Sequence, residues 1–391
     1  MIYDQAYFDQ GIDRRNTQCE KWDDREVMPG GAIPLWVADM DFACAQPIVD
    51  AICGRAAHPC YGYNLHDPRD EEAVIGYWQR RHGLTIHPGQ TLMLPCVVTG
   101  LRACVRAFSR PGERVAIFTP VYGPFYAAIE DNGRQAARIP LLREERTGRY
   151  ALDLQALEAE LEKGVRLVML CNPHNPVSRL WSREELTSLC RLVTRYGAKL
   201  VCDEIHADFV YAPGVFTPVL SLPEARDCAV MLCSASKTFN IAGLEQATAV
   251  SFSSKLLSAL AEETRAAGTA CGNTFALCAT RAAYTQCDDW LDGLLAYLDE
   301  NRGLLAGLVE EYLPKALLTP VEATYLAWLD LRPYGKNCDE LAAAFLNHGV
   351  ALTGGLFFGQ EGQGFMRVNF GCPRAMLREG VKRMGDALRE E

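Results

Sequence analysis

The chain has 391 residues, of which 49% are hydrophobic and 23% charged, and its formal net charge is −10. This composition is typical of a soluble globular protein of two domains, and the acidic balance argues against nucleic acid and anionic membranes as main partners. No apolar run approaches the length of a membrane span, and the first residues contain no apolar signal core.

The sequence contains 16 cysteines, and no two of them have C-x-x-C spacing. The spacing therefore gives no signal for a zinc ribbon or a thioredoxin-type site. A long chain without a secretory signal is not expected to use its cysteines as disulfides, so we expect most of them to be small buried hydrophobic residues. We expect a cytoplasmic protein.

The first segment, residues 1–50, contains the stretch IPLWVADMDF, which is predicted to be extended rather than helical. We interpret residues 1–50 as an N-terminal arm that packs on a second, smaller domain and forms part of it.

Residues 51–287 alternate short β-branched apolar runs with helical patterns. Two helices are predicted: FYAAIEDNG, ending at Gly133, and a second that follows the N-cap sequence Ser182-Arg183-Glu184-Glu185 and ends at Gly197. Strands that alternate with helices predict an α/β domain with a mainly parallel sheet and helices on both faces. The predicted strands are RVAIFTP, VRLVMLCNP, AKLVCDEI, CAVMLCSAS and QATAVSF.

From Asp288 the pattern changes to a long helical stretch, weakened by Gly293, Gly303 and Gly307, which is predicted to bridge to the second domain. The segments ATYLAWLDL, ELAAAFLNHGV and GFMRVNFG then give a strand–helix–strand pattern of α+β type. We expect residues 288–391 to form the small C-terminal domain with its bridging helix.

Polar residues gather at the carboxyl ends of the predicted strands, where parallel sheets bind ligands. They lie at 172–175, 203–206 and 234–237, and in the loop before VVTGLRACVRAF. An acid, an amine, an amide and hydroxyl groups suit pyridoxal phosphate. The amine forms a Schiff base, the carboxylate keeps the pyridine nitrogen protonated, and hydroxyls with helix-start N–H groups bind the phosphate.

Eight stretches between residues 35 and 374 carry a family resemblance: LWVADMDF, YGY, TPVYGPFYAAI, NPHNP, DEIHADF, SASKTFNIAGL, TYLAWLDLR and GFMRVNFGCPR. With them the sequence resembles fold-type I pyridoxal-phosphate enzymes of the class I/II aminotransferase superfamily, and within it the cystathionine β-lyase group of C–S lyases. The resemblance implies a large domain with a mainly parallel seven-stranded sheet between helices, a smaller α+β domain, pyridoxal 5′-phosphate as cofactor, and a homodimer.

The resemblance also implies roles for individual residues around the cofactor ring. Lys237 would form the Schiff base and later remove the substrate α-proton, and Asp203 would pair with the pyridine nitrogen. Tyr122 would stack on the ring. Asn175 and His206 would form hydrogen bonds around the ring hydroxyl, although close relatives often place a tyrosine near the second of these positions.

The phosphate and the substrate would be bound by a second set of residues. The backbone N–H groups of Val97 and Val98, with Ser234 and Ser236, would bind the phosphate. Tyr63 would reach the phosphate of the neighbouring subunit. Arg367 would bind the substrate carboxylate, and the Ala38 N–H would help to bind the same carboxylate.

Each of these roles has a simpler alternative. Tyr122 could fill a core, Tyr63 could be an ordinary interface tyrosine, and Arg367 could belong to a structural ion pair. A metal cluster is conceivable but not expected, because alternation along a strand points two of its four candidate ligands to opposite faces. Those four residues are Asp203, Glu204, His206 and Asp208.

Two positions depart from the family pattern. Relatives commonly have N-P-T-G where this chain has Asn175-Pro176-Val177-Ser178, and the missing glycine is expected to reshape the loop. Many aminotransferases place a phosphate-binding arginine about eight residues after the lysine, where this chain has Glu245. An acid facing a phosphate is costly, and the lyase group also lacks the arginine, so this position favours a lyase.

The expected function is therefore a C–S β-lyase that cleaves L-cystathionine or another cysteine S-conjugate to a thiol, pyruvate and ammonia. The first alternative is a class I/II aminotransferase, which would require a keto acid. The second is a regulatory binding protein that retains the cofactor.

Overall fold

The computed structural model describes residues 2–24, 27–28, 30–269 and 272–389. Its helices are α1 (Gln5–Gln10), α2 (Glu20–Asp23), α3 (Gln46–Ala56), α4 (Pro68–His82), α5 (Val97–Phe108), α6 (Pro124–Glu130), α7 (Leu154–Glu162), α8 (Arg183–Arg195), α9 (Ala235–Thr238), α10 (Ser254–Ala266), α11 (Thr274–Gln286), α12 (Asp288–Tyr312), α13 (Cys338–Asn347) and α14 (Arg374–Arg389). Its strands are β1 (Ile33–Pro34), β2 (Thr91–Leu94), β3 (Arg114–Thr119), β4 (Gln135–Pro140), β5 (Leu142–Arg143), β6 (Tyr150–Ala151), β7 (Leu167–Cys171), β8 (Lys199–Asp203), β9 (Ala229–Cys233), β10 (Ala247–Val250), β11 (Leu317–Leu318), β12 (Leu326–Asp330), β13 (Val350–Ala351), β14 (Thr353–Gly354) and β15 (Phe365–Asn369).

The central sheet has seven strands in the order β2-β10-β9-β8-β7-β3-β4. β9, β8, β7, β3 and β4 pair in parallel, whereas β10 is antiparallel to both of its neighbours. The predicted mainly parallel α/β sheet is confirmed, and QATAVSF supplies its antiparallel strand.

Both faces of this sheet are covered, which explains why its strands are continuous apolar runs. Every residue of β7 is buried, and alternate residues enter different hydrophobic clusters. Val168 and Leu170 belong to one cluster, and Leu167 and Met169 belong to the other. Because these strands are parallel, their carboxyl ends lie together at one edge of the sheet.

A second sheet, of antiparallel strands in the order β11-β12-β15-β14, lies in the C-terminal part of the chain. The predicted strand–helix–strand pattern is confirmed as β12, α13 and β15. The short strand β1 of the arm pairs in parallel with β13, so that Ile33 lies beside Val350. The start of the chain is therefore built onto its C-terminal part.

The long helix predicted from Asp288 is α12, which has 25 residues. Gly293 does not interrupt it but lets the arm approach, because a Cβ atom there would lie 2.1 Å from the carbonyl oxygen of Tyr3. Phe8 of the arm is fully buried, and its ring lies 6.0 Å from that of Trp290 and 5.4 Å from that of Tyr297. The start of the chain therefore packs against α12.

Two helix ends test the capping signals in the sequence. At the start of α8 the Ser182 side chain accepts a hydrogen bond from the Glu185 N–H, and the Glu185 carboxylate accepts one in return, as the N-cap sequence predicted. The helix in FYAAIEDNG ends at Glu130, earlier than the predicted Gly133. There the chain turns, with Gly133 at φ 73° and the Arg134 N–H bonded to the Ile129 carbonyl.

No helix in the part of the chain that the structure describes is long and apolar enough to cross a membrane. The fifteen cysteines in the same part are free, and most of them are buried. The domain bounds 1–50, 51–287 and 288–391 stay a prediction.

Candidate active site

The carboxyl ends of β7, β8 and β9 meet at a cavity of about 340 Å³. The predicted residues that line it are Ala38, Val97, Val98, Tyr122, Asn175, Asp203, His206, Ser236 and Lys237. Residues that the sequence analysis did not single out also line it: Glu20, Cys96, Cys171, Ile205 and Ala242. Glu245, identified as a departure from the family pattern, lies in the same wall.

Lys237 lies in the short helix α9, directly after β9. Its Nζ donates a hydrogen bond of 2.6 Å to the carbonyl oxygen of Ala38. Burial disfavours the charged form of the amine and lowers its pKa to about 8. Lys237 is therefore an amine that gives up its proton close to neutral pH, as a nucleophile or a general base must.

Asp203 is the last residue of β8, and its side chain is 4% exposed. Its Oδ1 accepts a hydrogen bond of 3.1 Å from the Ile205 N–H, and no cation in the described residues forms an ion pair with it. Burial raises the pKa of this carboxyl to about 7. A buried acid without a counter-charge is suited to a cationic ring nitrogen.

The neighbouring acids Glu204 and Asp208 do not line the cavity and are bonded to other groups. Glu204 Oε1 accepts hydrogen bonds from Asn172 Nδ2 and the Val219 N–H. Asp208 accepts hydrogen bonds from the hydroxyls of Tyr77 and Thr238. Within the described ranges, no group of three or more His, Cys, Asp or Glu side chains is placed to hold a metal ion.

His206 and Asn175 lie together in the cavity wall. His206 is 3% exposed, and burial lowers the pKa of its imidazole to about 3, so the ring is neutral. Its Nδ1 has no hydrogen-bond partner among the residues described. Asn175 Oδ1 accepts a hydrogen bond of 3.2 Å from Arg367 Nη1. A neutral ring nitrogen and an amide are thus available to a polar ligand.

Arg367 projects from β15 and does not itself line the cavity, although its partner Asn175 does. Its Nη2 donates to the Trp36 carbonyl at 2.7 Å, whereas its Nε has no partner in the described part of the chain. The guanidinium is buried, and burial lowers its pKa to about 10. Its hydrogen-bond acceptors are uncharged oxygens rather than carboxylates, so the structural ion pair considered above is not what this structure contains.

The start of α5 forms an anion-binding corner. Cys96 is its N-cap, and the thiol accepts a hydrogen bond of 3.4 Å from the Thr99 N–H. The N–H groups of Val97 and Val98 have no acceptor among the residues that the structure describes, and they carry the positive end of the helix dipole. The Ser236 side chain lies in the same wall. These donors together suit a phosphate group.

Besides Arg367, two predicted residues, Ser234 and Tyr63, do not line the cavity, and Ala38 lines it with a different backbone group from the predicted N–H. Ser234 does not line the cavity; its hydroxyl donates to the Gln246 carbonyl and accepts from the Ser236 N–H, capping α9. Tyr63 is fully exposed and contributes nothing to the cavity of its own chain. Ala38 contributes its carbonyl oxygen, which accepts from Lys237 and, at 2.9 Å, from the Tyr325 hydroxyl.

Tyr325 and Asn240, which the sequence analysis did not single out for this role, both bond to the arm segment that contains Ala38. Asn240 Nδ2 donates to the carbonyls of Met40 and Phe42, and its Oδ1 accepts from the Met40 N–H. Both residues stand in the family-like stretches quoted above, but neither spacing nor periodicity indicates a contact with the arm. Their effect is to fix the Ala38 carbonyl against Lys237.

The two departures have clear structural settings. Ser178 has φ 54°, the left-handed region in which relatives use glycine, and its hydroxyl donates to the Leu326 carbonyl at the start of β12. The loop is therefore bonded to the second sheet at Ser178. Glu245 also has a positive φ, 55°, and lines the cavity on the side of α9.

A larger cavity, of about 880 Å³, lies near Trp181, Tyr211 and Phe216 and contains none of the predicted site residues. Its buried arginine, Arg179, already pairs with Glu185 and Glu322. The smaller cavity combines an amine, an acid, a neutral imidazole and free helix N–H groups, so we take it as the candidate active site.

Comparisons with known proteins give one consistent family. The model of the family "Aminotransferase class I and II" matches residues 59–384. Cystathionine beta-lyase PatB of Bacillus subtilis is 40% identical to this chain over 387 residues, which cover 97% of this chain and 99% of that protein.

Two solved structures superpose closely on the fold. The PLP-bound C–S lyase of Staphylococcus hominis has a TM-score of 0.90 and 30% identity, covering 98% of each chain. A PLP-bound putative aminotransferase of Clostridium difficile has a TM-score of 0.94 and 32% identity, covering 98% of this chain and 99% of that one.

Proposed function

The chain belongs to the class I and II aminotransferase family, and from this we propose that it is a pyridoxal-phosphate-dependent C–S β-lyase. It cleaves L-cystathionine or another cysteine S-conjugate to a thiol, pyruvate and ammonia. The observation that carries the proposal is one cavity lined by Lys237 and the unpaired acid Asp203, with the buried cation Arg367 bonded to the wall residue Asn175. The cystathionine β-lyase and C–S lyase among the similar proteins support the reaction type.

The residues of the cavity fit pyridoxal phosphate. Lys237 would hold it through Nζ. The buried carboxylate of Asp203, which forms no ion pair in the described residues, would pair with the pyridine nitrogen. The free N–H groups of Val97 and Val98 and the Ser236 side chain would hold the phosphate. When bound, the cofactor supplies an electron sink for the negative charge left on the substrate α-carbon.

The chain's own groups then divide the work. Arg367 binds the α-carboxylate of the substrate through parallel hydrogen bonds and so fixes the α-carbon near Lys237. The free amine of Lys237, with its lowered pKa, removes the α-proton. The β-carbon–sulfur bond breaks, the thiolate leaves and takes a proton, and hydrolysis of the remaining enamine gives pyruvate and ammonia.

The presence of glutamate at position 245 supports elimination rather than amino transfer as the main activity. Aminotransferases commonly have an arginine at this position to bind phosphate, whereas the carboxylate here cannot play that part. Phosphate binding therefore falls to α5 and α9, which is the pattern expected of the lyase group.

The deciding experiment incubates the cofactor-loaded protein with L-cystathionine and no keto acid. We expect pyruvate and free thiol in equal amounts. Lys237→Ala is the control and should release neither above background. Turnover that appears only when a keto acid is added, without thiol, would assign the chain to the aminotransferases instead.

The proposal includes a homodimer in which Tyr63 reaches the partner's site, and a cytoplasmic location. Its support for the dimer is an exposed stretch with Tyr61 at 57%, Tyr63 at 104% and Leu65 at 86% relative exposure, because side chains of this kind mark contact surfaces. Its support for the location is that the described cysteines are free, as in a reducing compartment.

A further inference from the structure

Glu20, at the mouth of the cavity, has no part in the reaction described above. It is the first residue of α2, it lines the cavity, and it is exposed to solvent. Its carboxylate forms no hydrogen bond or ion pair with any residue that the structure describes. A charged group at the entrance of an active site, committed to no partner in the protein, is available to whatever enters.

The backbone that carries Glu20 is held firmly. The next residue, Lys21, is fully buried and pairs with Asp41 Oδ2 at 2.6 Å. Its Nζ also donates to the Asp39 carbonyl at 3.0 Å, and its own carbonyl accepts from Trp36 Nε1 at 3.1 Å. Because breaking a buried charge pair is costly, the start of α2 keeps its place. The Glu20 carboxylate is thus presented from a fixed point.

The backbone next to Glu20 is connected to Arg367, the residue that would bind the substrate carboxylate. Trp36 links the two, since its carbonyl accepts from Arg367 Nη2 while its indole donates to the Lys21 carbonyl. Burial dominates the pKa of both Lys237 and Tyr122, and Glu20 is among the charges that act on each. Glu20 is therefore within electrostatic reach of the groups that handle the α-carbon.

We propose that Glu20 makes the enzyme select cysteine S-conjugates whose sulfur substituent carries an ammonium group. The inference rests on the proposed function and names its substrate class. With the α-carboxylate on Arg367 and the α-carbon at Lys237, the S-linked chain has only the mouth to extend into. An ammonium group two or three atoms beyond the sulfur then approaches the Glu20 carboxylate, whereas an anionic substituent is repelled.

The second carboxylate in the wall, Glu245, does not compete for this role. It follows the turn after α9, and its neighbour Gln246 accepts the hydrogen bond from Ser234. The same Ser234 hydroxyl caps α9, whose Ser236 lies in the phosphate corner. Glu245 is therefore a matched control: a second exposed acid that lines the same cavity.

The first test is a binding titration that does not depend on sulfur chemistry. The cofactor absorbance of the holoenzyme is followed during addition of L-lysine or of L-norleucine, which lacks the terminal ammonium. Glu20→Gln should lower the preference for lysine over norleucine roughly three- to ten-fold, as expected for an ion pair at a partly hydrated site. Affinity for norleucine should stay within about two-fold, and Glu20→Asp should give an intermediate preference.

Glu245→Gln should leave the preference for lysine as it is in the wild type. The inference is overturned if Glu20→Gln keeps the wild-type preference, or if the preference is lost in Glu245→Gln instead. Raising the salt concentration should shrink the wild-type preference and leave that of Glu20→Gln unchanged, because charge attraction at an exposed mouth is screened.

The second test uses turnover. S-(2-aminoethyl)-L-cysteine and S-propyl-L-cysteine have the same shape and differ in charge. The ratio of their kcat/KM values should fall in Glu20→Gln by the same factor as the binding preference. Absence of thiol from both substrates in the wild type would reject the lyase function, while the lysine and norleucine titration would still decide the role of Glu20.

Discussion

The guanidinium of Arg367 is a buried cation whose hydrogen-bond acceptors are the Trp36 carbonyl, the Asn175 amide oxygen and the Thr353 hydroxyl. Its ring neighbour is Phe358, whose centroid lies 4.9 Å from the guanidinium carbon. Burying a charge among uncharged groups is costly, and its lowered pKa reflects that cost. A carboxylate from the substrate would supply the missing negative charge.

Arg367→Ala should therefore lower kcat/KM for amino-acid substrates by roughly thirty-fold or more, since removing one member of a buried charge pair costs about 2–5 kcal/mol. Arg367→Lys keeps the charge without the planar pair of donors and should fall in between. The cofactor absorbance should be intact in both variants. A kcat/KM within a few-fold of wild type in Arg367→Ala would remove Arg367 from the substrate site.

Glu204 gives a prediction about pH. Burial raises its pKa from the usual 4.5 to about 8, so the folded chain holds this proton more tightly than the unfolded chain. The contribution favours folding below about pH 4.5 and is lost as the pH rises through 8, at up to about 1.4 kcal/mol per pH unit. Glu204→Gln does not titrate, so its free energy of unfolding relative to wild type should increase from pH 5 to pH 8.

Urea unfolding of the cofactor-free protein at several pH values measures this difference. Glu184→Gln, an exposed acid in the first turn of α8, is the control and should show no such trend across the same range. A difference between Glu204→Gln and wild type that stays constant with pH would mean that Glu204 is ionised in the folded protein throughout.

The arm packs against helix α12. Two glycines of this helix, Gly293 and Gly303, have different surroundings. A Cβ on Gly293 would lie 2.1 Å from the Tyr3 carbonyl oxygen, whereas a Cβ on Gly303 would have nothing within 4 Å. Gly293 is needed for the close approach of the arm, whereas Gly303 makes no such contact and only lowers the helix propensity.

Gly293→Ala should destabilise the protein by about 1–3 kcal/mol, because the arm backbone must move away. Gly303→Ala should instead stabilise it by up to about 1 kcal/mol, through helix propensity alone. Thermal or urea unfolding of the two variants makes the comparison. Equal effects of the same sign would show that the arm does not pack against α12 in solution.

Elements with a local cause were predictable from the sequence, and those with a distant cause were not. The capping box at Ser182 and the buried run of β7 follow from neighbouring residues alone. Lys237 and Asp203 were found because strand ends of one sheet must converge. By contrast, Glu20 lines the same cavity as Lys237 although it lies 217 positions before it in the sequence, and no periodicity indicates that the two are close.

The sequence also could not give the direction in which a side chain points. Ser234 has the predicted place at the end of β9, but its hydroxyl turns to the Gln246 carbonyl because it caps α9. The end of α6 at Glu130 was missed because the chain turns there through backbone bonds, in which the Gly133 N–H donates to the Glu130 carbonyl and the Arg134 N–H to the Ile129 carbonyl.

The whole molecule presents Tyr63 to solvent at full exposure, in a stretch where Tyr61 and Leu65 are also exposed. We predict a dimer by sedimentation, with Tyr63→Phe losing cofactor more readily than wild type while the dimer persists, because the hydroxyl would donate to the partner's phosphate. Tyr126→Phe is a control, since that hydroxyl is bonded to the Phe358 carbonyl within its own chain. A fully active monomer would contradict both the dimer and the role of Tyr63.

The anchoring of the arm sets an order of events during synthesis. Asn369 donates hydrogen bonds to the Val37 and Asp39 carbonyls, across 332 and 330 positions of the chain. At about 5–20 residues per second, the arm leaves the ribosome roughly 20–60 seconds before its partner strand exists. During that interval the nascent large sheet can form, and Asn240 and Tyr325 become available to the segment that places Ala38 against Lys237 before Asn369 does. Arg367, the proposed carboxylate-binding residue, is synthesised in the same late strand, so a chain that stalls before residue 367 has its large sheet but lacks the proposed substrate-binding arginine.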